Sequence, residues 1–216
     1  MLRKLVLVAA VGLAAFATPA LAVGKGSCML AIQLGSGTAD LYDPSSAATS
    51  GYITAYDHSE LGVRGQFWKM MSDDYAVTLA GGIGFFSEED EPGTAASPGD
   101  PTDKYTQSSY HVRVGGDRVV SVGDRATLYF GPGVEFWNGK AKFESGTTSV
   151  ETEGVTRISL AGRMGAIMKI GSNWGFHGEI EHKMGHASAE DRGAKVTWWP
   201  SSVGGHGGLL FMFGGN

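Results

Sequence analysis

The sequence contains a single cysteine, Cys28, and has no apolar run after its first 22 residues that is long enough for a membrane helix. One cysteine excludes an internal disulfide. Extended segments with a helical period of 3.6 residues are also absent, which argues against a helical bundle. The formal net charge is −5 at pH 7, and a negative chain is not expected to bind nucleic acid.

The first 22 residues have the pattern of a secretory signal peptide. Two basic residues precede a short apolar segment at 5–16, and Ala20-Leu21-Ala22 follows with the small residues of a cleavage site. This order of charged, apolar and small residues is typical of exported proteins. We therefore expect residues 1–22 to be removed as a signal peptide and residues 23–216 to form a single mature domain.

The mature region alternates repeatedly between apolar and polar residues with a period of two, which predicts β-strands. Leu128 and Phe130, for example, alternate with Thr127 and Tyr129. Successive side chains of a strand point to opposite faces, so each strand has one apolar and one polar face. The pattern predicts eight strands, at residues 28–42, 59–71, 75–87, 106–121, 126–144, 152–170, 174–187 and 195–213.

The fourth predicted strand is the least regular, because Arg118 falls on its apolar face. We expect a β-bulge at Gly115-Gly116 to correct the phase.

The predicted connections differ in length from one end of the strands to the other. Turn-forming residues make short links at Ser72-Asp73-Asp74, Gly123-Asp124-Arg125 and Gly171-Ser172-Asn173. Longer polar stretches lie near residues 43–58, 88–105, 145–151 and 188–194. Short turns at one end and long loops at the other are characteristic of membrane barrels.

The sequence therefore predicts an all-β fold, an eight-stranded antiparallel up-and-down transmembrane β-barrel with short periplasmic turns and longer extracellular loops. Its apolar face is expected to contact outer-membrane lipid, while charges of both signs on the polar face pair inside the narrow lumen. The side chains predicted to face outward are Leu128, Phe130, Val134, Phe136, Ile158, Leu160, Phe176 and Ile180.

The chain ends in the alternating apolar sequence Leu209-x-Phe211-x-Phe213. Together with the signal peptide and the eight strands, this ending resembles the small outer-membrane barrels of the outer-membrane-protein-A and opacity families. The resemblance implies a location in the outer membrane of a Gram-negative bacterium. It also implies that the barrel-insertion machinery reads the closing strand, although three residues follow Phe213 here.

One pair of residues resembles a catalytic motif. His186-x-Ser188 is similar to the His-x-Ser of the outer-membrane lipid A deacylases, in which a histidine activates a serine against an acyl ester. Those enzymes have asparagine after the serine, where this chain has Ala189, and an acid about a dozen residues later, where it has Trp199-Pro200. His186 and Ser188 are therefore candidates only, and we expect a protein that is not an enzyme.

Two clusters of charged residues could be read as metal sites, but we interpret one as an ion-pair ladder and the other as part of a loop. His177, Glu179, Glu181 and Lys183 share one strand face, and we interpret them as an ion-pair ladder with Arg157 and Arg163 of the preceding strand as partners. The acidic residues 88–91 lack a recognised calcium-binding spacing and are interpreted as part of a solvated loop. No metal or cofactor is predicted.

The function favoured by these features is a non-enzymatic structural or surface-interaction role in the outer membrane. A membrane-facing lipid A deacylase-like esterase and a conduit for small apolar molecules remain as alternatives. A general porin is not expected, because eight strands enclose no aqueous channel.

Overall fold

In a computed structural model, the described residues of the chain form ten antiparallel β-strands. The structure describes residues 24–42, 55–90, 103–145, 148–151, 154–191 and 194–214. The predicted signal peptide therefore lies outside the described residues. The strands are β1 (Cys28–Tyr42), β2 (Ala55–Ser72), β3 (Tyr75–Asp90), β4 (Asp103–Val122), β5 (Ala126–Ser145), β6 (Thr148–Glu151), β7 (Val155–Lys169), β8 (Trp174–Asp191), β9 (Ala194–Trp198) and β10 (Ser201–Phe213). In this part of the chain there is no helix long and apolar enough to cross a membrane.

Eight of the described strands close into a ring in the order β1-β2-β3-β4-β5-β7-β8-β10. Strand β10 closes it by pairing with both neighbours, so that Phe213 lies opposite Cys28 of β1 and Phe211 opposite Trp174 of β8. The two short strands lie off this ring, β6 beside β5 and β9 beside β8. The predicted eight-stranded up-and-down barrel is confirmed.

The last predicted strand, 195–213, is in fact two strands. Strand β9 pairs with the far end of β8, while β10 alone enters the barrel. Pro200 lies between them, and proline has no N–H for a strand ladder. Because β9 gives β8 a partner, residues 188–191, which were predicted to be a loop, continue β8 to Asp191.

The two ends of the barrel differ as the sequence predicts. Ser72 and Tyr75 are paired across a tight turn, and the next short link contains Gly123 at φ +65°, a left-handed conformation that favours glycine. At the other end the strands continue far beyond a membrane, since β4 and β5 each contain 20 residues. About 9–11 tilted residues are enough to span a bilayer.

The barrel places its apolar face outward and its polar face inward. On β7, Ile158 and Leu160 are 58% and 72% exposed, whereas Arg157 and Arg163 are buried. The same alternation confirms the orientation of all eight side chains predicted to face outward, namely Leu128, Phe130, Val134, Phe136, Ile158, Leu160, Phe176 and Ile180. A soluble barrel would have the opposite arrangement, so this is a barrel of the transmembrane type.

The bulge predicted at Gly115-Gly116 is wrong. The register of β4 against β3 is continuous from Gly115 to Arg118, and Arg118 points outward in phase. Its guanidinium lies near the short turn, with Nη2 3.9 Å from Oδ2 of Asp74. Arg118 needs no phase correction because it lies at the rim, where its charge reaches water rather than lipid.

Candidate functional site

The lumen near the short turns is filled by apolar and aromatic side chains. Trp68, Met70 and Tyr129 are all at most 1% exposed. Trp68 and Tyr129 meet edge to face, with ring centroids 5.9 Å apart. This apolar plug consists of Met29, Ala31, Trp68, Met70, Ala76, Val119, Tyr129, Ile167, Leu210 and Met212. Its close packing leaves this half of the lumen without a wide aqueous path.

A layer of buried ion pairs crosses the lumen next to the plug. The two carboxylates of β8, Glu179 and Glu181, face arginines from the opposite side of the barrel. Arg64 of β2 places Nη1 3.0 Å from Oε2 of Glu181 and 3.2 Å from Oε1 of Glu179. Arg113 of β4 places Nε 2.8 Å from Oε1 of Glu181. All four side chains are at most 1% exposed, so each charge depends on its partners.

Arg163 of β7 extends this layer toward Asp117 of β4. Its Nε donates to Oδ1 of Asp117 over 3.0 Å while Nη2 donates to Oδ2, and Nη1 lies 3.3 Å from Oε2 of Glu179. The guanidinium carbon lies 5.6 Å from the ring centre of Trp68, whose Nε1 donates to Oδ2 of Asp117 over 3.1 Å. Tyr129 also donates to Glu179, over 2.8 Å. The apolar plug and the ion-pair layer are therefore joined by aromatic side chains with polar tips.

A second set of ion pairs lies toward the long-loop end and centres on Glu135 of β5. Its Oε2 lies 2.6 Å from Nζ of Lys183, and its Oε1 lies 3.4 Å from Nη2 of Arg157. The Arg157 guanidinium also covers the ring of Trp137 at 5.2 Å. The paired charges close the lumen above the plug as well.

The sequence predicted this network in outline. Arg163 contacts Glu179 as expected, but Arg157 pairs with Glu135 rather than with the β8 cluster. Asp117 and Trp68 were not anticipated as lumen residues. Strand alternation could have identified both, because Asp117, for example, lies on the same face of β4 as Arg113.

Three of the lumen residues have the composition of a metal site. Ligand atoms of Glu179, Glu181 and His206 lie within 4.8 Å of one another. The same carboxylates, however, are already approached by Arg64 and Arg113. Two cations beside the carboxylate oxygens repel a divalent ion, so this arrangement favours ion pairing over metal binding.

The candidate residues His186 and Ser188 lie on the outward face of β8. The His186 ring meets the ring of Trp199 edge to face, with centroids 5.4 Å apart. Ser188 lies between Thr156 and Thr197 in the strand register. Within the described residues, no hydrogen bond joins the two side chains and no carboxylate holds the imidazole. The structure therefore places both on the surface predicted for them without assembling a nucleophile and its base.

The closing strand presents its aromatic residues to the outside. The Phe211 ring lies 4.9 Å from that of Trp174 and 5.9 Å from that of Phe213, measured between centroids. Leu209 is outward on the same face. Together these residues form an apolar surface at the short-turn end, which suits the boundary between lipid and water.

No family model and no curated protein matches the chain. Among solved structures, Ail, the attachment invasion locus protein of Yersinia pestis, aligns over 88% of this chain and 99% of its own, with 15% identity and a TM-score of 0.46. The outer membrane protein OprG of Pseudomonas aeruginosa aligns over 88% and 97%, with 12% identity and a TM-score of 0.42. Neisserial surface protein A aligns over 87% and 96%, with 9% identity and a TM-score of 0.43. The chain is similar in fold to these small outer-membrane β-barrels.

Proposed function

We propose that this protein is a non-conducting barrel of the Gram-negative outer membrane that anchors and displays a β-sheet outside the cell, in a structural or surface-interaction role. The filled lumen is the observation on which this proposal rests. The apolar plug and the buried ion pairs occupy the space that a solute would cross, so function has to reside on the outer surfaces. A conduit for small apolar molecules is less well supported, because the apolar part of the lumen is itself packed with side chains.

The displayed surface is the continuation of the strands beyond the membrane. Strands β3 to β6 stay paired there, with Lys104 opposite Glu144 and Lys142 opposite Glu151. The lysine amine of Lys142 lies 2.6 Å from Oε1 of Glu144, and that of Lys140 lies 3.9 Å from Oε1 of Glu151. Charges of both signs on a paired sheet suit a water-exposed interaction surface.

The sealed lumen is tested by single-channel recording in planar bilayers. We expect no conductance steps of the size that a water-filled porin gives. Regular porin-like steps from the folded, heat-modifiable protein would refute the sealed barrel.

The displayed sheet is tested by cysteine labelling on intact cells. In a Cys28→Ser background, Ser149→Cys places a thiol on β6, and Ser172→Cys places one in a short turn; both positions are exposed. A membrane-impermeant maleimide is expected to label position 149 on intact cells and position 172 only after permeabilisation. Labelling of position 172 alone on intact cells would reverse the orientation and overturn the proposal.

The proposed role is not enzymatic. Catalysis by His186 and Ser188 would need a group to orient the imidazole, and loss of such an acid costs about 10⁴ in rate in serine hydrolases. Mass spectrometry of lipid A from cells with and without the protein provides the test. We expect identical acylation. Loss of an acyl chain that Ser188→Ala abolishes would support the lipid A deacylase-like esterase instead.

A further inference from the structure

The lipid-facing surface is apolar along most strands but polar along one side of β8. The outward positions of β7 between 158 and 168 are all apolar or glycine, and those of β5 between 128 and 136 are apolar. On β8 the outward series from Trp174 instead reaches His182 and His186. An ionisable side chain at such a position marks a functional site more often than a structural one.

His182 is hydrogen-bonded to a serine of the neighbouring strand. Its Nε2 lies 3.0 Å from Oγ of Ser201 on β10, and both residues are exposed. The register explains the contact, because Ser201 pairs with Met184 and thus lies diagonally across from His182. This imidazole–hydroxyl pair can both donate and accept hydrogen bonds at a surface where the surrounding side chains do neither.

The depth of the pair in the membrane follows from strand geometry. With a rise of about 3.3 Å per residue and a tilt of about 40°, a strand climbs about 2.5 Å per residue along the barrel axis. His182 follows Trp174 by eight residues on β8 and thus lies about 20 Å above that aromatic rim, within an apolar band about 25 Å tall. His186, four residues further along β8, lies about 30 Å above the rim. The first position lies about 5 Å below the outer edge of the apolar band, near the ester ends of the acyl chains, and the second lies beyond that edge, among the head groups.

The surface beside His182 is recessed. Its neighbour on β7 is Gly162, and a Cβ built at Gly162 would meet no atom within 4 Å. The outward position on β10 nearest the pair toward the short turns, after Val203, is Gly205, which is also exposed. The missing side chain at Gly162 leaves room for a lipid to approach the imidazole from the β7 side, while Val203 lies opposite His182 on β10.

Further hydrogen-bonding side chains lie on the same face beyond His186, toward the long-loop end of the barrel. Above His186, Ser188 of β8 lies opposite Thr197 of β9. Trp199 is 79% exposed and packs against the His186 ring. Ester and phosphate oxygens accept hydrogen bonds but donate none, so a column of imidazole and hydroxyl donors matches the polar end of a phosphorylated lipid.

We propose that the outer face of β8, β9 and β10 binds one phosphorylated glycolipid of the outer leaflet. His182 and Ser201 hydrogen-bond its acyl-ester oxygens, and His186 and Thr197 hydrogen-bond its phosphate. Trp199 packs against the head group at the membrane boundary. This binding site does not involve the sealed lumen, but it rests on the proposed orientation, with the long-loop end outside the cell. Lipid retention is measured on the purified barrel, so its failure is distinct from a failure of the labelling test on intact cells.

The test is lipid retention by the full-length purified barrel, measured by native mass spectrometry after detergent exchange in the presence of diphosphorylated lipid A. We expect the wild-type protein to retain one lipid A, and the double variant His182→Leu, Ser201→Val to retain at least tenfold less. Met164→Leu, an exposed outward change on β7, is the matched control and is expected to retain lipid like the wild type. Heat-modifiable migration shows that each variant is folded.

Three results would overturn the proposal. Equal retention by the wild type and the double variant would remove His182 and Ser201 from the site. Equal retention of dephosphorylated lipid A would mean that phosphate is not recognised. Release of an acyl chain in a Ser201-dependent manner would replace the binding site with an esterase.

Discussion

Glu181 is the residue whose removal tests the lumen network most directly. It is fully buried, and its two oxygens face Arg64 at 3.0 Å and Arg113 at 2.8 Å. Lys183 lies 3.5 Å away as a third cation. Glu181→Gln keeps the shape of the side chain and removes its charge, so it removes the carboxylate that faces Arg113 and leaves Arg64 with Glu179 alone.

The expected loss of unfolding free energy in Glu181→Gln follows from two opposing effects. Each charge pair at about 4 Å contributes roughly 4 kcal/mol at an effective dielectric constant of about 20. The desolvation of each ion costs several kcal/mol, which offsets much of that attraction. Breaking a buried pair on one side alone destabilises a protein by about 3–5 kcal/mol, because the remaining charge stays buried. We expect this loss for Glu181→Gln.

The assay is equilibrium urea unfolding of the barrel in phospholipid vesicles, followed by tryptophan fluorescence. Glu144→Gln is the matched control, since Glu144 lies 2.6 Å from Lys142 but on the exposed extension, where we expect no measurable change. The double variant Glu181→Gln, Arg113→Gln removes one charge of each sign and should recover part of the loss. Equal stability of Glu181→Gln and Glu144→Gln would refute the claim that the lumen charges are held by one another.

Two further predictions concern the closing strand. Phe211→Ser with Phe213→Ser is expected to lower the amount of barrel in the outer membrane more than it lowers the unfolding free energy of the inserted protein; normal levels in membrane fractions would contradict this. Gly208→Ala is expected to destabilise the barrel by about 1–3 kcal/mol, because the added Cβ overlaps the carbonyl oxygen of Ile32. Gly178→Ala, where a Cβ meets nothing within 4 Å, is its control in the same urea titration.

The strands and their orientation could be predicted from the sequence because both depend on local alternation. The β1 bounds were predicted as the structure has them, Cys28–Tyr42. The error at the chain's end arose where alternation continued past Pro200, so that β9 and β10 appeared to be one strand. The prediction for Arg118 failed for a different reason. Alternation identifies the face on which a residue lies, but it does not show where along the strand the lipid ends.

The partners inside the lumen could not be predicted from alternation. Arg64 and Glu181 are 117 residues apart and lie on opposite sides of the ring. Which inward residues meet across a barrel depends on the tilt and stagger of the strands, and these are properties of the closed sheet. Sequence neighbours therefore suggested Arg157 for the β8 cluster, whereas the stagger brings Arg157 to Glu135.

Alternation by itself does not distinguish a lipid-facing barrel from one that holds apolar side chains inside. What distinguishes them is the behaviour of the charged face. In water, charges on a barrel surface pair weakly and need no particular partner. Inside a narrow lumen each charge needs a counter-charge within a few ångströms, because an unpaired one is costly to bury. The inward faces of β2, β4, β5, β7 and β8 meet that requirement with the cations Arg64, Arg113, Arg157, Arg163 and Lys183 and the anions Asp117, Glu135, Glu179 and Glu181. The burial and pairing of these opposite charges therefore show that the polar face is enclosed, and an enclosed polar face requires the apolar one to meet lipid.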